Sequence, residues 1–141
     1  MTTRAQLVAA ARLWLDTPFK HQATVRGVGV DCSGLLRGVA ADLGLPIVSR
    51  TDYGRSPDAD SARLLAEVSQ NLDPIEVSEA RAGDVLLFWF DSPDRPYHFA
   101  IVTDVGILHT YTRVRKVVET SLSDGWRSRI HSAWRVRGLE D

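Results

Sequence analysis

The stretch Gly27–Leu45, "GVGVDCSGLLRGVAADLGL", holds the chain's single cysteine, Cys32, at a junction between two textures. Before it lies a glycine-punctuated loop. After it, Leu35, Leu36, Val39, Ala40 and Leu43 recur at helical spacing, Gly44 suits a C-terminal cap and Pro46 prevents a restart. Cys32 therefore opens a helix, where backbone N–H groups lack intrahelical acceptors and the helix dipole is positive. A thiol there ionises more readily, and the thiolate is the nucleophile. The same N–H groups can hold an oxyanion during acyl transfer. Ser33 and Gly34 leave the approach uncrowded, and Gly34 lets a substrate backbone come close. The position fits a nucleophile and, equally, a small buried hydrophobe, a common role of free cysteine. A base elsewhere in the chain has to decide between them.

Working outward, the N-terminal side reads as a second helix. Thr2 or Thr3 caps it, Leu7, Val8, Ala11, Trp14 and Leu15 form one apolar stripe, and Pro18 bars continuation. Residues 18–31 read as a polar loop. On the C-terminal side, Ser56 and Pro57 open a helix whose Leu64, Leu65, Val68 and Leu72 face inward. From there the texture changes to short β-like runs. Val85–Phe90 ("VLLFWF") is a buried strand. Phe99–Thr103 and Ile107–Thr112 flank Val105-Gly106 as a hairpin. Val117–Ser121 and His131–Arg137 complete a sheet of about five strands, the last of them an amphipathic final strand rather than a docking surface. Helices first and an antiparallel sheet afterwards predict a single α+β domain over residues 1–141.

At 141 residues, 44% hydrophobic, the chain is long enough to bury a core. A single cysteine excludes an internal disulfide framework. The net charge of −1 makes no case for nucleic acid or an anionic membrane surface, and no apolar run reaches membrane-spanning length. The first residues lack a secretory profile, so synthesis in the cytoplasm without a signal peptide is expected. Without CxxC, HExxH or spaced carboxylates, neither metal nor cofactor is expected.

Four histidines offer a base. His98 opens a strand after a polar, proline-containing loop, and His109 lies inside the next strand. Together with a helix-start cysteine they match a nucleophile, a base and an orienting group. His98 would take the thiol proton and His109 would hold its ring. A two-residue turn at Val105-Gly106 opposes that reading. It pairs Val102 with His109 and leaves His98 four residues further along, roughly 13 Å away. A bulge, a longer loop or strong twist must then close the gap. His21, before Cys32, can line a cleft; His131 has no supporting partner and reads as structural.

"GVGVDCSGLLRGV", "ARAGDVLLFW" and "HFAIVTDVGILHTY" together resemble the NlpC-type cell-wall peptidase family, of papain-like fold. That family shows DCSG at a helix start, a PGD-like turn into an apolar strand, an H-x-[GA]-[IV] strand and a further polar residue about a dozen positions on. The likeness runs from about Thr17 to Val136. It implies Cys32 as nucleophile, His98 as base and His109 as the orienting member, with Asp31 and Ser33 recognising a peptide's amine or backbone. The implied substrate is peptidoglycan, cut in its stem peptides between γ-D-glutamate and a diamino acid.

"DTPFKHQATVRGVGVDC" is similar to a branch reading "GTPYRHQ…RGVG.DC", found among tail genes of phages and gene transfer agents. That likeness implies a tail component carried outside the cytoplasm to the cell wall, with tail-tip or baseplate proteins as partners. Phe19 stands where the family has Tyr, which removes one hydroxyl from the substrate side, and Ala82 replaces the Pro of the turn. Two other readings of the same fold stand beside this one: a structural tail module that binds without cutting, and an amidase or acyl transferase.

Overall fold

A computed structural model describes residues 1–47 and 57–141 of the chain. Helix α1 spans Arg4–Arg12, and Thr3 caps it by accepting from the Gln6 N–H while Gln6 caps back. It stops short of the expected stripe: Trp14 is buried, but Leu15 is 36% exposed because the chain has already left the helix for turns. The segment expected to be a plain polar loop contains a small hairpin, β1 (Thr24–Val25) with β2 (Gly29–Val30). Helix α2 then runs Cys32–Asp42, with Asp31 as its cap and Gly44 in the left-handed region at φ +69.

Helix α3 (Pro57–Asn71) ends one residue before its last expected inward position. Leu72 instead begins a strand, β3 (Leu72–Ile75). The Ser56 cap expected for α3 lies outside the described residues. The remaining elements are β4 (Val85–Trp89), β5 (Pro96–Val102), β6 (Ile107–His109), β7 (Val118–Thr120), α4 (Asp124–Arg127) and β8 (Ile130–Val136). Among the described residues the main sheet has six strands in the order β3-β8-β4-β5-β6-β7, every neighbouring pair antiparallel. The extra strand is β3, which the sequence hides because Leu72 continues the helical spacing and Pro74 argues against a strand. An edge position, where one N–H faces away from the ladder, tolerates that proline.

Alternation along the strands divides the sheet into two apolar faces. Val85, Leu87, Phe99, Ile101 and Leu108 pack under the helices with Leu7, Ala11, Trp14, Leu35, Val39, Leu64 and Val68. Leu86, Phe88, Ala100, Ile107 and Ala133 form the other face, joined by Trp126 and Ile130. Full burial of each large aliphatic side chain contributes about 2 kcal/mol. The turn after α1 packs closely on α2: a Cβ on Gly38 would lie 2.3 Å from the Trp14 ring, whose Nε1–H donates to Asp42 at 2.9 Å. No helix among the described residues is long and apolar enough to cross a membrane.

Candidate active site

Cys32 takes the first position of α2 because Asp31 before it supplies the cap. One Asp31 oxygen accepts from the Gly34 N–H at 2.7 Å and the other from the Gln22 N–H at 2.9 Å. Gly34 is required here for packing: an added Cβ would meet the Ala23 carbonyl at 2.6 Å and the Asp31 carboxylate at 2.7 Å. That corrects the sequence reading, in which Gly34 faced a substrate; it faces the preceding loop. Asp31 and Ser33 are likewise buried, at 5% and 2% exposure. Arg63 donates to the Ser33 hydroxyl at 3.0 Å and Arg37 at 3.3 Å. Asp31 and Ser33 thus turn their polar atoms to partners within the fold.

Glu67 of α3 closes this cluster from behind, 2.9 Å from Arg63 and 3.4 Å from Arg37. Burial pushes its carboxyl up against the opposing pull of both guanidiniums. The sequence reading missed these residues. Its available signals were Arg37, an arginine inside an otherwise apolar helix face, and the i,i+4 spacing of Arg63 and Glu67.

The segment leading to the hairpin is stitched down on both sides. The Phe19 N–H donates to the Arg115 carbonyl at 2.8 Å, and Phe19 bridges to Val30, two residues before the cysteine. Phe19 and His21 are both half-buried. Cys32 itself is partly buried, and its thiol contacts the Tyr97 carbonyl at 3.9 Å, on the peptide that immediately precedes His98.

The hairpin register disposes of the 13 Å objection. Val102 pairs with Ile107, not with His109, because residues 103–106 form the connection. The Thr103 N–H donates to the Gly106 carbonyl at 2.9 Å, and the Thr103 hydroxyl accepts from the Val105 and Gly106 N–H groups. His98 and His109 then become diagonal neighbours on one face, within reach of ring contact. His98 Nε2 and His109 Nδ1 are 2.8 Å apart, and His109 Nε2 lies 3.3 Å from the Thr120 hydroxyl. When His109 donates to Thr120, its Nδ1 accepts from His98 Nε2–H, which leaves His98 Nδ1 with a lone pair.

Both imidazoles are buried at 1% exposure. Burial drives His98 well below the ordinary imidazole range, helped by the neighbouring His109, and burial alone pushes His109 down to about 4. Both rings are neutral at pH 7. The burial comes from an aromatic surround: Phe90 and Trp126 stack on His98 at centroid distances of 5.3 Å, with Tyr111 edge-on at 5.1 Å. Trp126 also touches the His109 ring at 5.1 Å. Its involvement carries no local signal, since it arrives from a four-residue helix far along the chain. His131 sits on β8, bonded to Ser132 at 2.9 Å, apart from this group.

A helix-start cysteine set against a strand that carries one of two hydrogen-bonded histidines, within an α+β layer arrangement, defines a papain-like fold. The chain belongs to the NlpC/P60 family, whose model matches residues 16–135. Members of that family are cysteine peptidases and peptidoglycan hydrolases. Among solved structures, an NlpC/P60 family protein from Bacillus cereus is similar over 95% of this chain and 40% of its own, at 21% identity and TM-score 0.69. The NlpC/p60 domain of the peptidoglycan hydrolase SagA is similar over 96% of this chain and 100% of its own, at 29% identity and TM-score 0.62. The peptidoglycan hydrolase RipB from Mycobacterium tuberculosis is similar over 94% and 63%, at 18% identity and TM-score 0.63. The chain thus spans less than half the length of the Bacillus cereus protein. No curated protein matches it.

Proposed function

We propose that this protein is a cysteine peptidase that hydrolyses peptidoglycan stem peptides at the bond between γ-D-glutamate and a diamino acid. The observation that carries the reading is the 2.8 Å contact between His98 and His109 on the strand whose preceding peptide meets the Cys32 sulfur. His98 Nδ1 takes the thiol proton, and the sulfur attacks the amide carbonyl carbon. The oxyanion forms against the Cys32 N–H at the helix start. The C–N bond breaks as His98 returns the proton to the departing amine, and water then hydrolyses the thioester. His109 holds the His98 ring through Nε2, which leaves Nδ1 as the nitrogen available to the thiol.

The family relationship and the likeness to the peptidoglycan hydrolases SagA and RipB support peptidoglycan as substrate. The choice of bond rests on the resemblance of the Cys32 and His98 segments. Delivery from the cytoplasm to the wall in a phage-like tail rests on the likeness of the segment from Asp16 to Cys32 alone, and a pull-down from particle preparations tests it. For the peptidase itself, Cys32→Ala and His98→Ala should each abolish peptide release from purified sacculi with an unchanged circular dichroism spectrum. Mass spectrometry of wild-type digests should show a new amine on the diamino acid, which separates peptidase from amidase or transferase. Retained lysis in either variant overturns the assignment.

A further inference from the structure

Strand β6 is short, and its three residues must carry His109 to the position from which its ring reaches His98. On its far side β5 is held by β4 along its length, from Val85↔Ile101 to Trp89↔Pro96. β6 joins it at Ile101↔Leu108 and Val102↔Ile107. Sliding β6 by two residues would keep every side chain on its own face, so the apolar pattern does not forbid it. That slide is the two-residue connection at Val105-Gly106, which sets Val102 against His109 and parts the imidazoles by roughly 13 Å. The strand alone therefore does not secure the histidine contact.

The connection itself is gripped from outside. A hydroxyl has one proton and two lone pairs, and Thr103 uses all three. It accepts from the Val105 N–H at 3.1 Å and the Gly106 N–H at 3.0 Å, and it donates to Glu119 on β7 at 2.7 Å. Arg12, the last residue of α1, meets that carboxylate with two arms of its fork. Its Nε lies 3.0 Å from one Glu119 oxygen and its Nη2 2.7 Å from the other. The same Nη2 reaches Asp104, inside the connection, at 2.6 Å. Hydrogen bonds from Arg12 hold both carboxyls below their usual range. Gly106 also lies tight against β7: an added Cβ there would collide with the carbonyl of Thr120, whose hydroxyl meets His109. In the shorter connection Asp104 pairs with Ile107, and the turn that brings two N–H groups to the Thr103 hydroxyl is gone.

We propose that Arg12, Glu119 and Thr103 form a register lock that holds β6 in the one pairing where His109 meets His98. They are positioning residues, and they act on the reaction only through that pair. The kinetic consequence rests on the peptidase reading; the lock itself does not. It ties the first helix of the chain to the chemistry, because Arg12 supplies the fork that fixes both carboxylates.

Nitrogen-15-labelled protein at neutral pH tests the lock by magnetic resonance. The wild type should show a scalar coupling between His98 Nε2 and His109 Nδ1 across their hydrogen bond, with cross-strand contacts pairing Ile101 with Leu108. Thr103→Val keeps the side-chain shape, and it should lose the coupling and bring Asp104 opposite Ile107. Thr103→Ser should retain both wild-type signals. Arg12→Gln, at a half-exposed position, should weaken the coupling and carries the test if Thr103→Val does not fold. On a synthetic stem peptide, kcat should fall about tenfold in Thr103→Val with KM little changed, and Thr103→Ser should recover it. A lowered melting temperature with coupling and pairing intact in Thr103→Val and Arg12→Gln overturns the lock, and a lost coupling with wild-type kcat overturns the positioning role. If the wild type cleaves no stem peptide, the peptidase reading fails, and coupling and pairing still decide whether these three residues set the register.

Discussion

His98 and His109 sit two positions out of register on adjacent antiparallel strands, yet their ring nitrogens meet at 2.8 Å. The diagonal placement makes this contact possible: side chains at i and j±2 share a face and lie within reach for rings. His109 can act on chemistry only through His98, so it is a positioning residue. His109→Ala should lower kcat for stem-peptide cleavage about a hundredfold, within the range typical of acid–base assistance, with a smaller change in KM. Partial recovery in His109→Gln or His109→Asn, which can still engage His98 Nε2, separates positioning from a purely packing role. Steady-state kinetics on a synthetic stem peptide checks it.

The buried imidazoles also make stability depend on pH. Unfolded, each His binds a proton near its ordinary value of about 6.5. Folded, His109 does so only at about 4 and His98 lies well below the ordinary value. Between those limits the unfolded state carries more protons, so stability falls as pH drops from 6.5 towards 4. For His109 alone the loss should reach about 3 kcal/mol across that window. Urea unfolding at pH 7.5 and 4.5 measures it, and His109→Asn should show a shallower dependence. The acid limb of kcat/KM should likewise fall below pH 6.5, because His98 stays in its basic form in mildly acidic solution.

Behind the cysteine helix, Glu67 holds Arg37 and Arg63, and both arginines reach the hydroxyl of Ser33. Removing the carboxylate takes a shared ionic partner from two buried arginines, although Arg37 keeps Asp31 at 3.8 Å. Glu67→Ala should destabilise the protein by about 3–5 kcal/mol, and Glu67→Gln by less. Thermal melting or urea midpoints provide the readout. A change of under one kcal/mol in Glu67→Ala would mean that this cluster is well hydrated rather than buried.

Gly38 of α2 lies directly under the Trp14 ring, in the turn that follows α1. An alanine there would press its methyl 2.3 Å from the Trp14 ring. Gly38→Ala should therefore cost about 1–3 kcal/mol through overpacking, despite alanine's better helix propensity. The double variant with Trp14→Phe should recover part of the loss in the same unfolding assay, since the smaller ring gives the methyl room.

Amino-acid order alone was enough to place Cys32 at a helix start, because capping, helical spacing and the stop at Gly44 and Pro46 act within a few residues of each other. It also identified the strands that carry both histidines, whose apolar runs are short and sharply bounded. The third helix's end was harder: Leu72 fits the helical stripe, and only pairing with Val136 across the sheet makes it the start of a strand. The hairpin register was undecidable for a related reason. Two connections of different length satisfy the same apolar alternation, and the hydroxyl of Thr103 closing the longer one selects between them. Trp126 over the imidazoles and Glu67 behind Ser33 come from distant parts of the chain. Local rules act through backbone hydrogen bonds and side-chain spacing over a turn or two, whereas burial, ring stacking and buried charge pairing exist only once remote segments meet.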